Sequence, residues 1–174
     1  AVELFHNFTL IHDDITDNAP LRRNKPSVHA KWNTNIALLS GDAMLIKAYE
    51  YIAQTPKAHL PAILHLFNNT ALKVCEGQQF DMNYETQKQV SINDYLHMIS
   101  LKTAALFSAS LEMGAISGGA TGKDARKMKV FGESIGMLFQ LQDDILDVFG
   151  EQEKTGKQTG GDIINNKKTF LLLK

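Results

Sequence analysis

Apolar residues recur at helical intervals over most of this chain, and nowhere do they alternate with polar ones over the length a half-buried strand needs. From Val2 through Ile15 they fall at Leu4, Phe5, Phe8, Ile11 and Ile15, and Pro20 then enforces a break. The segment that follows, NAPLRRNKPSVH, reads as a basic loop. A second helix is predicted from Asn35 to Gln54, because Thr55 precedes Pro56 and is pushed out of the helical region. A third runs from about Leu60 to Asn83. Ser91 and Asp94 have the form of a capping box, opening a fourth helix through Tyr95, Ile99, Lys102 and Leu111 to the breaker GGATG. A fifth spans about Asp124 to Phe149. Beyond it, GEQEKTGKQTGGDIINNKK has little periodicity and reads as a mobile loop, while KKTFLLLK looks like a helix just beginning. The class is all-α, in one domain over residues 1–174, since no repeat, low-complexity tract or linker divides it. Ala1 opens directly into an amphipathic pattern, so the chain is expected to be part of a longer one, lacking N-terminal and C-terminal helices.

Composition narrows the class further. A 44% hydrophobic content in 174 residues is enough to close a core. A net charge of -1 and a pI near 6.7 give no overall positive field, so neither nucleic acid nor an anionic membrane is expected as a partner. No run approaches the roughly 18 to 20 apolar residues of a membrane span, and AVELFHNF lacks the pattern of a signal peptide. Cys75 is the only cysteine, which excludes an intrachain disulfide and a multi-thiolate metal site and fits a cytoplasmic location.

The chemistry lies in one pattern that occurs twice. HDDITD carries Asp13, Asp14 and Asp17, and QDDILD carries Asp143, Asp144 and Asp147, each near the C-terminal end of a predicted helix. At this spacing the first and last aspartates of a motif stand on one helical face and repel by a few tenths of a kcal/mol, more where Leu10, Ile11, Leu141 and Ile145 exclude water. A cation between them would relieve that. Hard carboxylate oxygens with no companion cysteine suit Mg²⁺, which takes one or two carboxylates and fills its octahedron with water and phosphate oxygens. Arg22, Arg23, Lys102, Lys157 and Lys167 could balance the charge of a diphosphate beside such ions. With 11 aspartates in 174 positions, one such motif could be a solvated acidic helix end; two at matching helix ends are much harder to ascribe to chance.

In order along the chain, LIHDDITDNAPLRRNKPSVH, SGDAML, GQQFD, KTAALF, FQLQDD and GKQTGGDIINNKKT resemble the polyprenyl (isoprenyl) diphosphate synthase family. The resemblance implies an antiparallel helical bundle of the isoprenoid synthase type with a central cavity. It also implies a homodimer that condenses an allylic diphosphate with isopentenyl diphosphate, using three Mg²⁺ per active site. Asp13, Asp17 and Asp143 would ligate the metal, with Asp14, Asp144 and Asp147 closely associated and Gln78 and Asp81 in support. Arg22 would hold the allylic diphosphate. Lys102, Thr103, Gln140, Lys157 and Lys167 match positions contacting the allylic substrate, His6 and Arg23 match positions holding isopentenyl diphosphate, and Phe139 matches an aromatic facing the reacting carbons. Taken singly each has a plainer reading. His6 and Phe139 would be core residues, Lys102 and Thr103 locally satisfied helix residues, Gln140 a cap on an internal hydrogen bond, and Lys157 and Lys167 solvated loop lysines.

Two departures from the family pattern matter. Asn24 stands where the family usually has glycine, and asparagine tolerates the positive φ that such a turn requires. An upstream glycine-lysine-arginine segment that anchors isopentenyl diphosphate is not in the sequence, so this stretch by itself is expected to be inactive. Phe8 lies five residues before Asp13, roughly 7 to 8 Å down the helix, where its ring would floor the growing chain, with Phe5 blocking deeper growth. In the family that the chain resembles, an aromatic at the Phe8 position before an uninterrupted DDxxD looks like a geranylgeranyl-type arrangement, so the resemblance implies C15 to C20 products, C20 favoured. A class I terpene cyclase would share the first motif but not QDDILD, and a noncatalytic subunit would have lost some of the six acids. A phosphohydrolase built on His12 and Asp13 finds no ligand spacing in His29, His59, His65 or His97.

Overall fold

The computed structural model describes residues 1–151 and 160–174; Lys157 and the centre of the expected mobile loop lie outside the described residues. The expected single domain is all-α and is described as two compact units, each taken by itself. Unit 1 is Ala1–Gln54 with Leu146–Asn165, and unit 2 is Thr55–Ile145 with Asn166–Lys174.

In unit 1, α1 (Val2–Thr16) packs on α3 (Thr34–Ala53). Gly41 of α3 makes that approach possible, because a Cβ there would stand 2.5 Å from His12 Nε2. The His12 ring fills the notch and meets Phe8 edge-on at 4.6 Å, while Phe5 is fully buried beneath. Asn33 starts α3 by accepting from the Ile36 N–H at 2.9 Å, a cap that falls just before the predicted start.

The segment expected to be a basic loop is instead a two-residue hairpin followed by a helical turn. Strands β1 (Leu21–Arg22) and β2 (Lys25–Pro26) pair antiparallel, and α2 spans Val28–Lys31. Arg23 and Asn24 at the tip have φ of 54° and 60°, the pair of positive values that matches a tight hairpin to the strands' twist. Asn24 thus does what its tolerance of positive φ suggested. Ser27, buried, closes the base by donating to the Ala19 carbonyl at 2.6 Å. Strands of two residues are too short to leave an alternating pattern. A helical turn, α8 (Gly161–Ile164), likewise occupies part of the stretch read as loop.

Unit 2 is built from α4 (Leu60–Thr86), α5 (Ile92–Ile99), a π-turn (Ser100–Ala104), α6 (Ala105–Ser117), most of α7 (Gly122–Phe149) and the short α9 (Phe170–Leu173). The capping box at Ser91 is present in both directions. Tyr84, Tyr95, Met98 and Ile99 form one core cluster, with Phe80, Leu141 and Phe170 against it. Burial of each such side chain contributes about 1.5 to 3 kcal/mol.

The predicted fourth helix is interrupted in one place. At Ser100–Ala104 the chain widens into a π-turn, which a 3.6-residue period does not record. Bare glycine surfaces meet it. A Cβ on Gly77 of α4 would collide with the Lys102 backbone nitrogen and lie 2.6 Å from Lys102 Cα; one on Gly136 of α7 would lie 2.5 Å from Ala104 Cα. Gly77→Ala is therefore expected to destabilise by about 1 to 3 kcal/mol through overpacking. Gly114→Ala, on α6 with open space around it, should stabilise by up to about 1 kcal/mol. Urea denaturation of the two variants checks the contrast, and equal effects would contradict the clamp.

Candidate active site

The first aspartate motif ends α1, and the hairpin turns Arg22 back onto it. Arg22 Nε and Nη2 both donate to Asp14 Oδ1, at 2.9 and 2.5 Å, and Nη2 lies 3.8 Å from Asp13 Oδ2. Asp14 is 3% exposed. Burial pushes its carboxyl up, an effect that the Arg22 hydrogen bond and charge reduce and the neighbouring Asp13 reinforces. Asp13 keeps about a fifth of its side chain in solvent. Asp17 caps the end of α1, and its carbonyl accepts from Asn165 Nδ2 at 3.1 Å. Asp147 accepts the Asp162 N–H at 3.1 Å on its carboxylate and the Gly160 N–H at 2.8 Å on its carbonyl, so it holds the start of α8. His6 lies 3.7 Å from Glu3, Arg23 is exposed at the hairpin tip, and the Phe5 and Phe8 rings stand 5.7 Å apart.

In unit 2 the second motif is tied down in a parallel way. Asp144, 2% exposed, accepts from the Tyr95 hydroxyl at 2.7 Å and from Gln140 Nε2 at 2.9 Å. The same Gln140 accepts from the Thr103 hydroxyl on its Oε1 at 2.6 Å, so the π-turn is joined to α7 through this amide, and α5 to α7 through the Asp144 carboxylate. Asp143 beside it is only partly buried. Phe139 is half exposed and meets Phe107 at 5.2 Å, not the core position a lone phenylalanine suggests.

A second cluster sits on α4. Lys102 Nζ and Lys167 Nζ both donate to Asp81 Oδ2, at 2.7 and 2.9 Å, and Lys167 also reaches Glu85 Oε1 at 2.8 Å. Two ammonium groups on one oxygen repel by about 3 kcal/mol at an effective dielectric near 20, which the carboxylate between them offsets. Burial pushes the Asp81 carboxyl up, but the charges of Lys102 and Lys167 outweigh it and leave it below the ordinary carboxylate range. Gln78, three residues before, has a buried Nε2 with no acceptor among the described residues.

The structure thus gathers Lys102, Asp81 and Lys167, and separately Thr103, Gln140 and Asp144, in unit 2, and Asp13, Asp14 and Arg22 in unit 1. Lys157 is outside the described residues. Sequence reasoning missed Glu85 and Tyr95 as partners. Glu85 carried a signal, since it stands four residues after Asp81 on the same helical face; Tyr95, 49 residues from Asp144, carried none. Among the described residues no three His, Cys, Asp or Glu side chains form a ready metal-binding group. His12 is engaged elsewhere, 3.3 Å from the Leu38 carbonyl and 3.7 Å from Asp42.

Comparison with known proteins places this geometry. The chain belongs to the polyprenyl synthetase family, whose model matches residues 1–174. A short chain isoprenyl diphosphate synthase of Methanocaldococcus jannaschii is 42% identical over 99% of this chain and 53% of its own length. The crystal structure of a geranylgeranyl pyrophosphate synthase, 51% identical, superposes with a TM-score of 0.93 over 99% of this chain and 53% of that one. A Helicobacter pylori geranyltransferase complexed with magnesium and isoprenyl diphosphate, 31% identical, does so with a TM-score of 0.91 over 99% and 58%. The chain spans about half the length of these relatives. No helix among the described residues is long and apolar enough to cross a membrane.

The Asp144 pairing has a pH signature. Its carboxyl is raised, by burial first, with Tyr95 and Gln140 pulling the other way. A raised folded pKa means that stability declines as pH climbs from the ordinary carboxylate value through the raised one. Removing the hydroxyl enlarges that decline, so Tyr95→Phe is expected to cost about 1 to 3 kcal/mol near pH 7, and less near pH 4 as Asp144 takes up its proton. Urea denaturation without divalent ions at the two pH values measures it; a pH-independent difference would contradict it.

Proposed function

We propose that the full-length protein, in the cytoplasm and as a homodimer, joins an allylic diphosphate to isopentenyl diphosphate and releases a C15 to C20 prenyl diphosphate, C20 favoured. The observation that carries this reading is one construction built twice. In each motif a buried aspartate, Asp14 or Asp144, is tethered by donors from another element, beside a partly exposed one, Asp13 or Asp143. The tethered residue fixes the backbone, and its neighbour stands partly exposed beside it.

The donor set is hard oxygen throughout, which fits Mg²⁺, an ion that needs only one or two carboxylates from protein. Asp13, Asp17 and Asp143 would hold it, with Asp14, Asp144 and Asp147 alongside. When bound, three ions per site in this reading, it draws negative charge off the diphosphate as leaving group. The complex of the Helicobacter pylori geranyltransferase with magnesium and isoprenyl diphosphate supports this assignment.

The chain's own groups do the rest. Arg22, Lys102, Lys157 and Lys167 supply fixed positive charge where charge develops on the leaving diphosphate. The buried Gln78 amide offers a donor to an oxygen ligand, and Thr103 and Gln140 orient the allylic end. His6 and Arg23 hold isopentenyl diphosphate, and Phe139, open on one side, lies against the reacting carbons. The double bond of isopentenyl diphosphate attacks the allylic carbon, and the proton lost in re-forming an alkene goes to the departing diphosphate. Phe8 and Phe5, their rings tilted against each other on α1, set chain length.

The test incubates full-length protein with Mg²⁺, isopentenyl diphosphate and, separately, each of the dimethylallyl, geranyl and farnesyl diphosphates, and sizes the products by chromatography. Condensation to C15 or C20 is expected; hydrocarbon release would mean a cyclase, and phosphate release alone a hydrolase. Phe8→Ala should lengthen the product by at least one isoprene unit, and unchanged length would remove Phe8 as the floor.

A further inference from the structure

We propose that His12 and Gly41 are positioning residues for product length: the His12 imidazole, seated in the notch that Gly41 leaves on α3, is the wall that holds the Phe8 ring in place as the floor. The inference deepens the prenyltransferase reading and rests on it. Phe5, Phe8 and His12 follow one another at intervals of three and four residues, so they share one face of α1. Phe8 stands between the other two rings, tilted against Phe5 at 5.7 Å and edge-on to His12 at 4.6 Å. The two neighbours are held differently. Phe5 is fixed by burial, whereas His12 is only partly buried and is fixed by a polar contact with α3.

That contact sets the ring's orientation. His12 Nε2 lies 3.3 Å from the Leu38 carbonyl oxygen, and a carbonyl only accepts, so this nitrogen carries the proton. The Asp42 carboxylate, 3.7 Å from the same nitrogen, lies just beyond hydrogen-bond reach. Leu38, Gly41 and Asp42 belong to one turn of α3, so the imidazole is anchored where that helix carries no side chain.

The notch is filled by the imidazole and bordered by Phe8. A Cβ on Gly41 would stand 2.5 Å from His12 Nε2, 2.7 Å from His12 Cδ2 and 3.4 Å from Phe8 Cδ2. With the imidazole removed, the space over Gly41 is open to the Phe8 ring, which is then free to swing toward α3 and out of the path of the growing tail. A methyl group on Gly41 acts the other way. It expels the imidazole from the notch and presses it onto Phe8, so the floor stands firmer and nearer the aspartates.

The experiment sizes the products of the full-length protein, given Mg²⁺, isopentenyl diphosphate and an allylic diphosphate, for His12→Ala, His12→Phe, Gly41→Ala and Phe8→Ala. His12→Ala is expected to raise the ratio of the product one isoprene unit longer to the wild-type product about tenfold, the low end of what one methylene of pocket volume decides. Gly41→Ala should shift the ratio toward the shorter product. His12→Phe, which keeps a ring in the notch without the hydrogen bond, should retain the wild-type product. Urea denaturation gives a second readout: Gly41→Ala should lower the midpoint in wild-type protein but not in His12→Ala, where the clash is gone. A rate loss in His12→Ala without a change in product length, equal lengthening in His12→Ala and His12→Phe, or no shift in Gly41→Ala would overturn the proposal. If Gly41→Ala does not fold, the comparison of His12→Ala with His12→Phe decides. Lengthening in Phe8→Ala alone would leave the floor standing without its wall; unchanged length there would remove both, and wild-type protein that never condenses substrates would sink the prenyltransferase reading beneath them.

Discussion

Among the described residues three aspartates leave water, Asp14, Asp81 and Asp144, and the cost of burying a carboxylate organises much of what surrounds them. Each is met by donors carried on a different element: the hairpin's Arg22, the lysines of the π-turn and of the segment before α9, the tyrosine of α5. Removing one partner of such a pair leaves an uncompensated group, which is why these contacts fix local geometry so firmly. Of the three, Asp81 stays below the ordinary carboxylate range because two ammonium groups outweigh its burial, whereas Asp14 and Asp144 are raised. The motif aspartates are the ones whose surroundings leave the charged form undercompensated.

That difference links packing to chemistry. A raised carboxylate in a helix end is a group for which added positive charge is stabilising, and both motifs offer such a group beside a partly exposed neighbour. The π-turn serves the same end by steric means. Gly77 and Gly136 carry no side chain where the turn needs room, and Lys102 and Thr103 project from it to Asp81 and Gln140. A regular helix at this position would shift both side chains around the axis.

Much of the fold could be read from the amino-acid order, and what could not has physical reasons. Helix spans such as Leu60–Thr86 and Gly122–Phe149 were legible because long apolar stripes repeat many times, and the Ser91 box because its chemistry is local. The hairpin at Leu21–Arg22 and Lys25–Pro26, with two residues a side, has no period to detect. The π-turn adds one residue to one turn, and the glycines that admit it lie in other helices. For the site, the doubled aspartate motif named its carboxylates, but that Asp14 and Asp144 are buried tethers depends on Arg22 and Tyr95, the second of which is far away in sequence.

We propose that the two aspartate motifs hold divalent ions for a diphosphate. Manganese uptake by the full-length protein, followed by loss of the free Mn²⁺ resonance with and without inorganic pyrophosphate, tests it most directly. Pyrophosphate-dependent uptake that falls sharply in both Asp13→Asn and Asp143→Asn is the expected result. Uptake unchanged by either substitution, in folded protein, would contradict it.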